Sequence, residues 1–320
     1  MELKFQFSRH LLSCNNVGEG KLFIDFEPSA TIDGIYKTIL FSINNKSYNF
    51  NKIYVSNLLR TWITATIMYG SNIKKTDTLT LYISPYLKER HFILLRRGNY
   101  PKEIQHMLKK FLFFLENLHK ICTIPTEEID DKESFGEIKG KWYKNLPNKL
   151  IICTPNNEEI VIKKKGESEY SLETDISKIK DTTGPNTSEK GFLETGNLGK
   201  FMEWFPSPEN YYEQNFDKNN TVHVVTHGLV MSTYLKPRGY DKYKEQPIPT
   251  NVWRFTTTAN ENTIDKNNVV IGILEKRSDA KNLEETFRKK YNISLCGVKG
   301  SVKNTALGGR KTRRKLKPKY

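Results

Sequence analysis

Side chains suited to acid–base and anion-binding chemistry stand where the sequence predicts the ends of strands and the start of a helix. Arg9 and His10 follow LKFQFS, and His227 follows TVHVVT; both segments are typical of strands. Arg60 lies at the start of a predicted helix after KIYVSN, and Glu89 follows the strand-like TLTLYIS. Because open α/β sheets bind ligands at the carboxyl ends of their strands, we expect these five side chains to converge there.

These residue types together favour phosphoryl transfer. Two arginines can donate bidentate hydrogen bonds to phosphate oxygens. Two histidines can act as a nucleophile and as a donor to developing charge, and a carboxyl group can protonate a leaving group. Cationic side chains can neutralise the phosphoryl group, so we expect no metal and no cofactor. The chemistry predicted is transfer through a phosphohistidine.

The same side chains lie within five short motifs in a fixed order along the chain. The motifs are Arg9-His10 with Ser13 and Asn16, Ala30-Thr31 with Gly34, Ser56 with Leu58, Arg60, Thr61, Thr64 and Ala65, Leu87 with Glu89, Arg90, His91 and Phe92, and Thr226-His227-Gly228. In types and order they resemble the histidine phosphatase superfamily, whose fold is that of phosphoglycerate mutase. The resemblance covers roughly residues 1–120 and 200–275.

The resemblance implies a role for each matching residue. His10 would be the nucleophile that carries the phosphoryl group, and Glu89 would protonate the leaving oxygen and then activate water. The remaining matching residues would hold the phosphate or line its pocket, and they are Arg9, Arg60, His227, Ser13, Asn16 and Gly228. The implied activity is metal-independent hydrolysis of a phosphomonoester. Mutase activity is less expected, because no segment for holding a bisphosphoglycerate carboxylate is recognisable.

One departure from the family pattern leaves an alternative open. Leu11 follows the nucleophile, where the family has a glycine that allows close backbone approach and unusual dihedral angles. A leucine there is expected to weaken activity or reshape the pocket. The alternative is a pseudo-phosphatase that binds phosphorylated partners without turnover.

Strands and helices alternate along most of the chain, which predicts an α/β fold with helices on both faces of one sheet, a three-layer α/β/α sandwich. Apolar spacing predicts a long helix over residues 101–121. Residues 122–200 are predicted to be a partly flexible insertion that contains a small hairpin at 149–153 and 159–163. We predict one domain over residues 1–300, followed by a basic disordered tail at 301–320.

The net charge of +15 is concentrated in that tail. Residues 310–320 hold seven basic and no acidic residues, about half of the net charge. The tail predicts a possible second partner, nucleic acid or an acidic surface, bound through counterion release. The partner expected at the pocket is a phosphorylated small molecule or phosphoprotein. A short basic tail and a composition rich in Asn, Lys and Ile also resemble proteins of large DNA viruses.

Several other classes of protein are not expected from this sequence. No apolar run reaches the roughly 18 residues of a transmembrane helix, so we expect no membrane association. Four cysteines without a CxxC pair favour a reducing intracellular compartment and no disulfide framework. His223 and His227 have the spacing of a zinc helix, but on a strand four residues span about 13 Å. His223 is therefore expected to be a buried or hydrogen-bonded strand residue.

Overall fold

The structure is a computed structural model, and its description is confined to part of the chain. The residues described are 2–14, 30–44, 50–71, 73, 78–89, 100–123, 142–155, 158–167, 169–175, 177, 179, 196–205, 216–239, 254–260, 285–293 and 295.

Within the described residues, eight strands form one mixed sheet in the order β6-β5-β4-β3-β2-β7-β1-β8. Their bounds are β1 Lys4–Arg9, β2 Lys52–Val55, β3 Thr78–Ile83, β4 Lys149–Cys153, β5 Glu159–Lys164, β6 Tyr170–Leu172, β7 Thr221–Thr226 and β8 Arg254–Thr258. The five central strands β4, β3, β2, β7 and β1 pair in parallel. The strands at both margins, β8 on one side and β5 and β6 on the other, are antiparallel.

In the described part of the chain, helices cover both faces of the sheet. They are α1 Ile32–Asn44, α2 Leu59–Gly70, α3 Tyr100–Cys122, α4 Leu198–Trp204 and α5 Gly228–Leu235. Side chains of α1, α2 and α3 pack in one buried cluster with Ile53 and Val55 of β2. Side chains of α4 and α5 pack in a second cluster with Tyr54 of the same strand. Since neighbouring strand residues face opposite sides of a sheet, the two clusters are separate layers, and the predicted α/β/α sandwich is confirmed.

Helix α2 is the central element of the first layer and carries part of the pocket. All twelve of its residues are buried, and it lies between α1 and α3 against the sheet. No side chain caps its first turn. Arg60 in that turn places a cation at the positive end of the helix dipole, which is unfavourable unless an anion lies close to it.

The long helix and the hairpin that the sequence predicts are both present in the described residues. The long helix predicted at 101–121 is α3, and the predicted hairpin is β4 and β5. The hairpin extends the central sheet, because β4 pairs in parallel with β3. This part of the expected insertion therefore belongs to the central sheet. Asn16 and the tail at 301–320 lie outside the described residues.

Two further expectations concern the cysteines and membranes. Cys14 is disulfide-bonded, although the sequence predicts no disulfide framework, and Cys122 and Cys153 are buried thiols. Among the described residues, no helix combines the length and the apolar character that crossing a bilayer requires.

Candidate functional site

His10 lies just beyond the end of β1 with its backbone held by the neighbouring strand. Its N–H donates to the carbonyl of Thr226 at 2.9 Å, and the residue is 4% exposed. Its Nδ1 is 2.6 Å from the carbonyl oxygen of Leu11. Because a carbonyl can only accept, Nδ1 carries the proton and Nε2 carries the lone pair. The tautomer is therefore the one that a nucleophilic Nε2 requires.

Arg60 links His10 to Glu89. Its Nε donates to His10 Nε2 at 3.2 Å, and its Nη2 forms an ion pair with Glu89 Oε2. The side chains of Arg60 and Glu89 are 7% and 27% exposed, so the carboxylate is the more solvent-accessible partner of the pair. Glu89 is also the anion that the uncapped start of α2 requires near Arg60.

His227 completes the cluster from the end of β7. His227 is fully buried and occupies the N-cap position of α5. Nε2 lies 2.8 Å from the hydroxyl of Ser56, and Nδ1 lies 3.5 Å from Glu89 Oε2. The rings of His227 and His10 are 5.1 Å apart between centroids. One possible ligand atom from each of His10, Glu89 and His227 lies within 4.8 Å of the other two.

Ser56 was not among the residues predicted for the site. Its hydroxyl both contacts His227 and accepts from the N–H of Leu58 at 3.2 Å, so it orients the imidazole from the loop before α2. The signal available in the sequence was its place as the first residue of the third motif.

Leu11 occupies the core instead of crowding the pocket. It is 1% exposed and packs in the cluster formed with α1, α2 and α3. Among the described residues only Asn220 and Asn292 are non-glycine residues with a positive φ, so Leu11 does not need the freedom of glycine. Its N–H donates to the hydroxyl of Thr64 at 2.9 Å. The expected steric penalty is thus absent, because the side chain points into the core.

The loop after His10 is anchored on the start of α1. Thr31 donates to the carbonyl of Leu12 with both its N–H and its hydroxyl, at 3.0 and 3.1 Å. A Cβ on Gly34 would lie 2.6 Å from the same carbonyl oxygen, so the close approach requires glycine. The second motif therefore supports the nucleophile through its backbone.

The other predicted pocket residues are placed less directly. Arg9 is the last residue of β1, half-buried, and lies opposite Thr226. Ser13 is buried and pairs with Ala30 in an isolated β-bridge, and Gly228 is the first residue of α5. Roles in phosphate binding for Arg9, Ser13, Asn16 and Gly228 stay predictions.

Glu89 is held in place by contacts to the backbone just before it. The N–H groups of Gly196 and Asn197 donate to the carbonyls of Lys88 and Tyr86, both at 2.8 Å. The hydroxyl of Thr226 donates to the carbonyl of Leu87 at 3.0 Å. A Cβ on Gly196 would lie 2.5 Å from the carbonyl oxygens of both Tyr86 and Lys88, so only glycine fits there.

His223 has the structural role that was expected. Its Nε2 is 2.8 Å from Asp217 Oδ2, and its Nδ1 is 3.2 Å from the hydroxyl of Tyr69. Burial alone would raise the pKa of Asp217, but hydrogen bonds from His223 and from the N–H groups of Thr221 and Asn219 outweigh it and lower the pKa. This network lies at the amino end of β7, at the opposite edge of the sheet from His227.

Substituting Asp217 with alanine should destabilise the fold by about 1–3 kcal/mol, because the buried His223 and the partly buried N–H of Thr221 lose their acceptor. The lowered pKa of Asp217 makes its contribution complete above the unfolded-state pKa of about 3.9, and it is lost as the pH falls through the lower folded-state value. Urea unfolding at pH 7 and at pH 3 measures both effects. Asp175→Ala, which removes an exposed acceptor from Ser177, is the matched control and should change stability little.

Comparison with known proteins yields matches among solved structures alone. No family model and no curated protein matches the chain. The matching structures include a putative α-ribazole-5′-P phosphatase from Escherichia coli, with 13% identity, a TM-score of 0.36 and coverage of 87% of this chain and 98% of the other. A phosphoglycerate mutase from Bacillus anthracis matches at 14% identity and a TM-score of 0.36, covering 88% of this chain and 96% of the other.

A third match is a phosphoserine phosphatase from Entamoeba histolytica solved with 3-phosphoglyceric acid. Its identity is 16% and its TM-score 0.34, and the alignment covers 87% of this chain and 99% of the other. The neighbours are thus phosphatases and a mutase, but similarities at these identities and TM-scores carry no argument about this chain.

Proposed function

We propose that this protein is a metal-independent phosphomonoester hydrolase that acts through a phosphohistidine on His10, as the resemblance to the histidine phosphatases implies. The observation that carries the proposal is the state of the His10 ring. Leu11 fixes the proton on Nδ1, and Nε2 points toward Arg60 within the cluster that also holds Glu89 and His227. A lone pair beside a guanidinium is the arrangement that an anionic electrophile requires.

Arg60 has two roles in the proposed reaction. In the described state its guanidinium donates to His10 and pairs with Glu89. A phosphate dianion entering the pocket would compete for this guanidinium and release the Glu89 carboxylate toward the leaving oxygen. A carboxyl placed beside the leaving oxygen can act there as the general acid.

The reaction would proceed in two balanced steps. His10 Nε2 attacks phosphorus and forms the P–N bond while the P–O bond to the leaving group breaks, and Glu89 gives its proton to the departing oxygen. Glu89 then takes a proton from water, the water oxygen attacks phosphorus, and the P–N bond breaks to release phosphate. His227 and Arg60 stabilise the charge on the equatorial oxygens in both steps.

Trapping the phosphoenzyme tests the proposal. Brief incubation with a ³²P-labelled phosphomonoester, followed by alkaline quench, should leave label on the wild type that is stable to base and lost in acid. Peptide mapping should place it on His10, and His10→Asn should take up none. Label resistant to acid, or equal labelling of His10→Asn, would contradict the mechanism.

Gly196→Ala tests whether the segment at 196–197 positions Glu89. The added Cβ must push away the carbonyls of Tyr86 and Lys88, and the displacement moves the carboxyl that follows. We expect kcat for alkyl phosphates to fall about tenfold or more with a smaller change in KM, because misplacement of about 1 Å can cost that much.

Gly199→Ala, within helix α4, is the matched control. The added Cβ would contact Asn197 Oδ1 at 3.2 Å and no backbone carbonyl. It should keep the wild-type kcat. Equal kcat values for the two variants would show that this segment does not position Glu89.

A further inference from the structure

The two imidazoles of the pocket are held in the manner of metal ligands. Each ring has one nitrogen engaged by an oxygen outside the cluster: His10 Nδ1 by the Leu11 carbonyl and His227 Nε2 by the Ser56 hydroxyl. The other nitrogen of each ring is turned toward the cluster. Histidines that bind metals commonly have such an oxygen partner on the nitrogen that faces away from the ion, because it fixes the tautomer and orientation of the ring.

Glu89 supplies a carboxylate at the same point. Its Oε2 is 3.5 Å from His227 Nδ1, and one ligand atom from each of the three residues lies within 4.8 Å of the others. In a tetrahedral zinc site with bonds of about 2.0–2.1 Å, neighbouring ligand atoms are about 3.3 Å apart. Side-chain shifts of about 1 Å would therefore close the three residues around one ion.

We propose that this pocket binds a divalent transition-metal ion, Zn²⁺ foremost, through His10 Nε2, His227 Nδ1 and the Glu89 carboxylate, with a fourth position left for water. Two nitrogen ligands and one carboxylate suit zinc better than magnesium or calcium, which prefer oxygen. The metal occupies the lone pair of the proposed nucleophile and is therefore an inhibitor of the hydrolase. That inhibitory consequence rests on the proposed function, whereas the binding of the metal does not.

Arg60 distinguishes this metal site from the phosphate site. Its guanidinium donates to His10 Nε2 and pairs with Glu89, so it competes with a cation for two of the three ligands. Its positive charge also repels the cation directly. Phosphate, by contrast, requires that charge. Removal of Arg60 should thus strengthen zinc binding and weaken phosphate binding, an opposite change that damage to the fold would not produce.

Titration of the full chain with Zn²⁺, by calorimetry and by competition with a chromogenic chelator, tests the proposal. Wild type should bind one ion at this site, and Glu89→Gln and His227→Asn should each weaken that binding at least tenfold. Arg60→Met should tighten it about tenfold or more. His119→Asn, on α3, removes a histidine outside the cluster and should leave the affinity unchanged. Thermal unfolding establishes that each variant is folded; Glu89, the most exposed ligand, offers the gentlest substitution.

Weaker zinc binding by Arg60→Met, or wild-type affinity in both Glu89→Gln and His227→Asn, would overturn the metal site. Inorganic phosphate added to the wild type should raise the apparent dissociation constant for zinc, because both use His10 Nε2. Failure of the proposed function is a separate result: zinc binding with the expected pattern in a protein without phosphohydrolase activity supports the site and removes the hydrolase. Hydrolysis that zinc does not inhibit at saturation overturns the inhibitory role.

Discussion

His10→Asn should lower kcat for phosphomonoester hydrolysis by about 10⁴-fold or more, because loss of a covalent nucleophile removes the reaction path itself. Asparagine is close in size and polar, so the backbone contact of residue 10 with Thr226 can persist. Steady-state release of inorganic phosphate measures the effect. We expect phosphate to bind to the variant still, since Arg60 and His227 are unchanged.

A histidine outside the pocket provides the control for this substitution. His119 lies on α3, and His119→Asn should retain wild-type turnover. The comparison also separates the hydrolase from a pseudo-phosphatase. A binding protein without turnover would bind phosphate and show the same negligible rate in wild type and His10→Asn. The structure removes the main argument for that alternative, since Leu11 is buried in the core.

Glu89→Gln should reduce kcat in proportion to how much the leaving group needs a proton. For alkyl phosphates we expect a loss of about 10²–10⁴-fold, the usual contribution of general acid catalysis. For p-nitrophenyl phosphate, whose leaving group departs readily as an anion, the loss should be less than about tenfold when the first step limits the rate. Single-turnover measurements of leaving-group release isolate that step.

The exposed Glu203 on α4 offers a matched carboxylate, and Glu203→Gln should leave both substrates unaffected. Equal losses for alkyl and aryl phosphates in Glu89→Gln would show that Glu89 acts on binding or on charge, and would remove it as the proton donor. The ion pair with Arg60 makes this a real alternative, because the substitution also frees the guanidinium.

The elements that carry the pocket could be predicted because their signals are local. Strand alternation located β1 and β7, and helical periodicity located α3 within one or two residues. The place of residues 149–172 in the fold was harder to predict, because their short strands join the central sheet only through the pairing of β4 with β3. That pairing joins residues about seventy positions apart, and no local pattern contains it.

The contacts that orient the pocket side chains could not be predicted from the sequence either, because they too join residues far apart in the chain. Ser56 touches His227 across 171 positions, and Thr64 holds the N–H of Leu11 across 53. Gly196, near the far end of the insertion predicted at 122–200, donates to the backbone just before Glu89. Each of these roles depends on two segments that meet only after the sheet has formed.

By itself the sequence determined the chemical types at the strand ends: a histidine at the end of β1, another after β7, an arginine at the start of α2 and a carboxylate after β3. The tertiary structure decided which atoms face one another. The parallel order β3-β2-β7-β1 brings those ends to one edge, and the Leu11 carbonyl selects the ring nitrogen of His10 that is left to react. The hydrogen-bond partner of one ring nitrogen determines which nitrogen keeps the lone pair. The positions of such partners are defined only once the sheet has assembled.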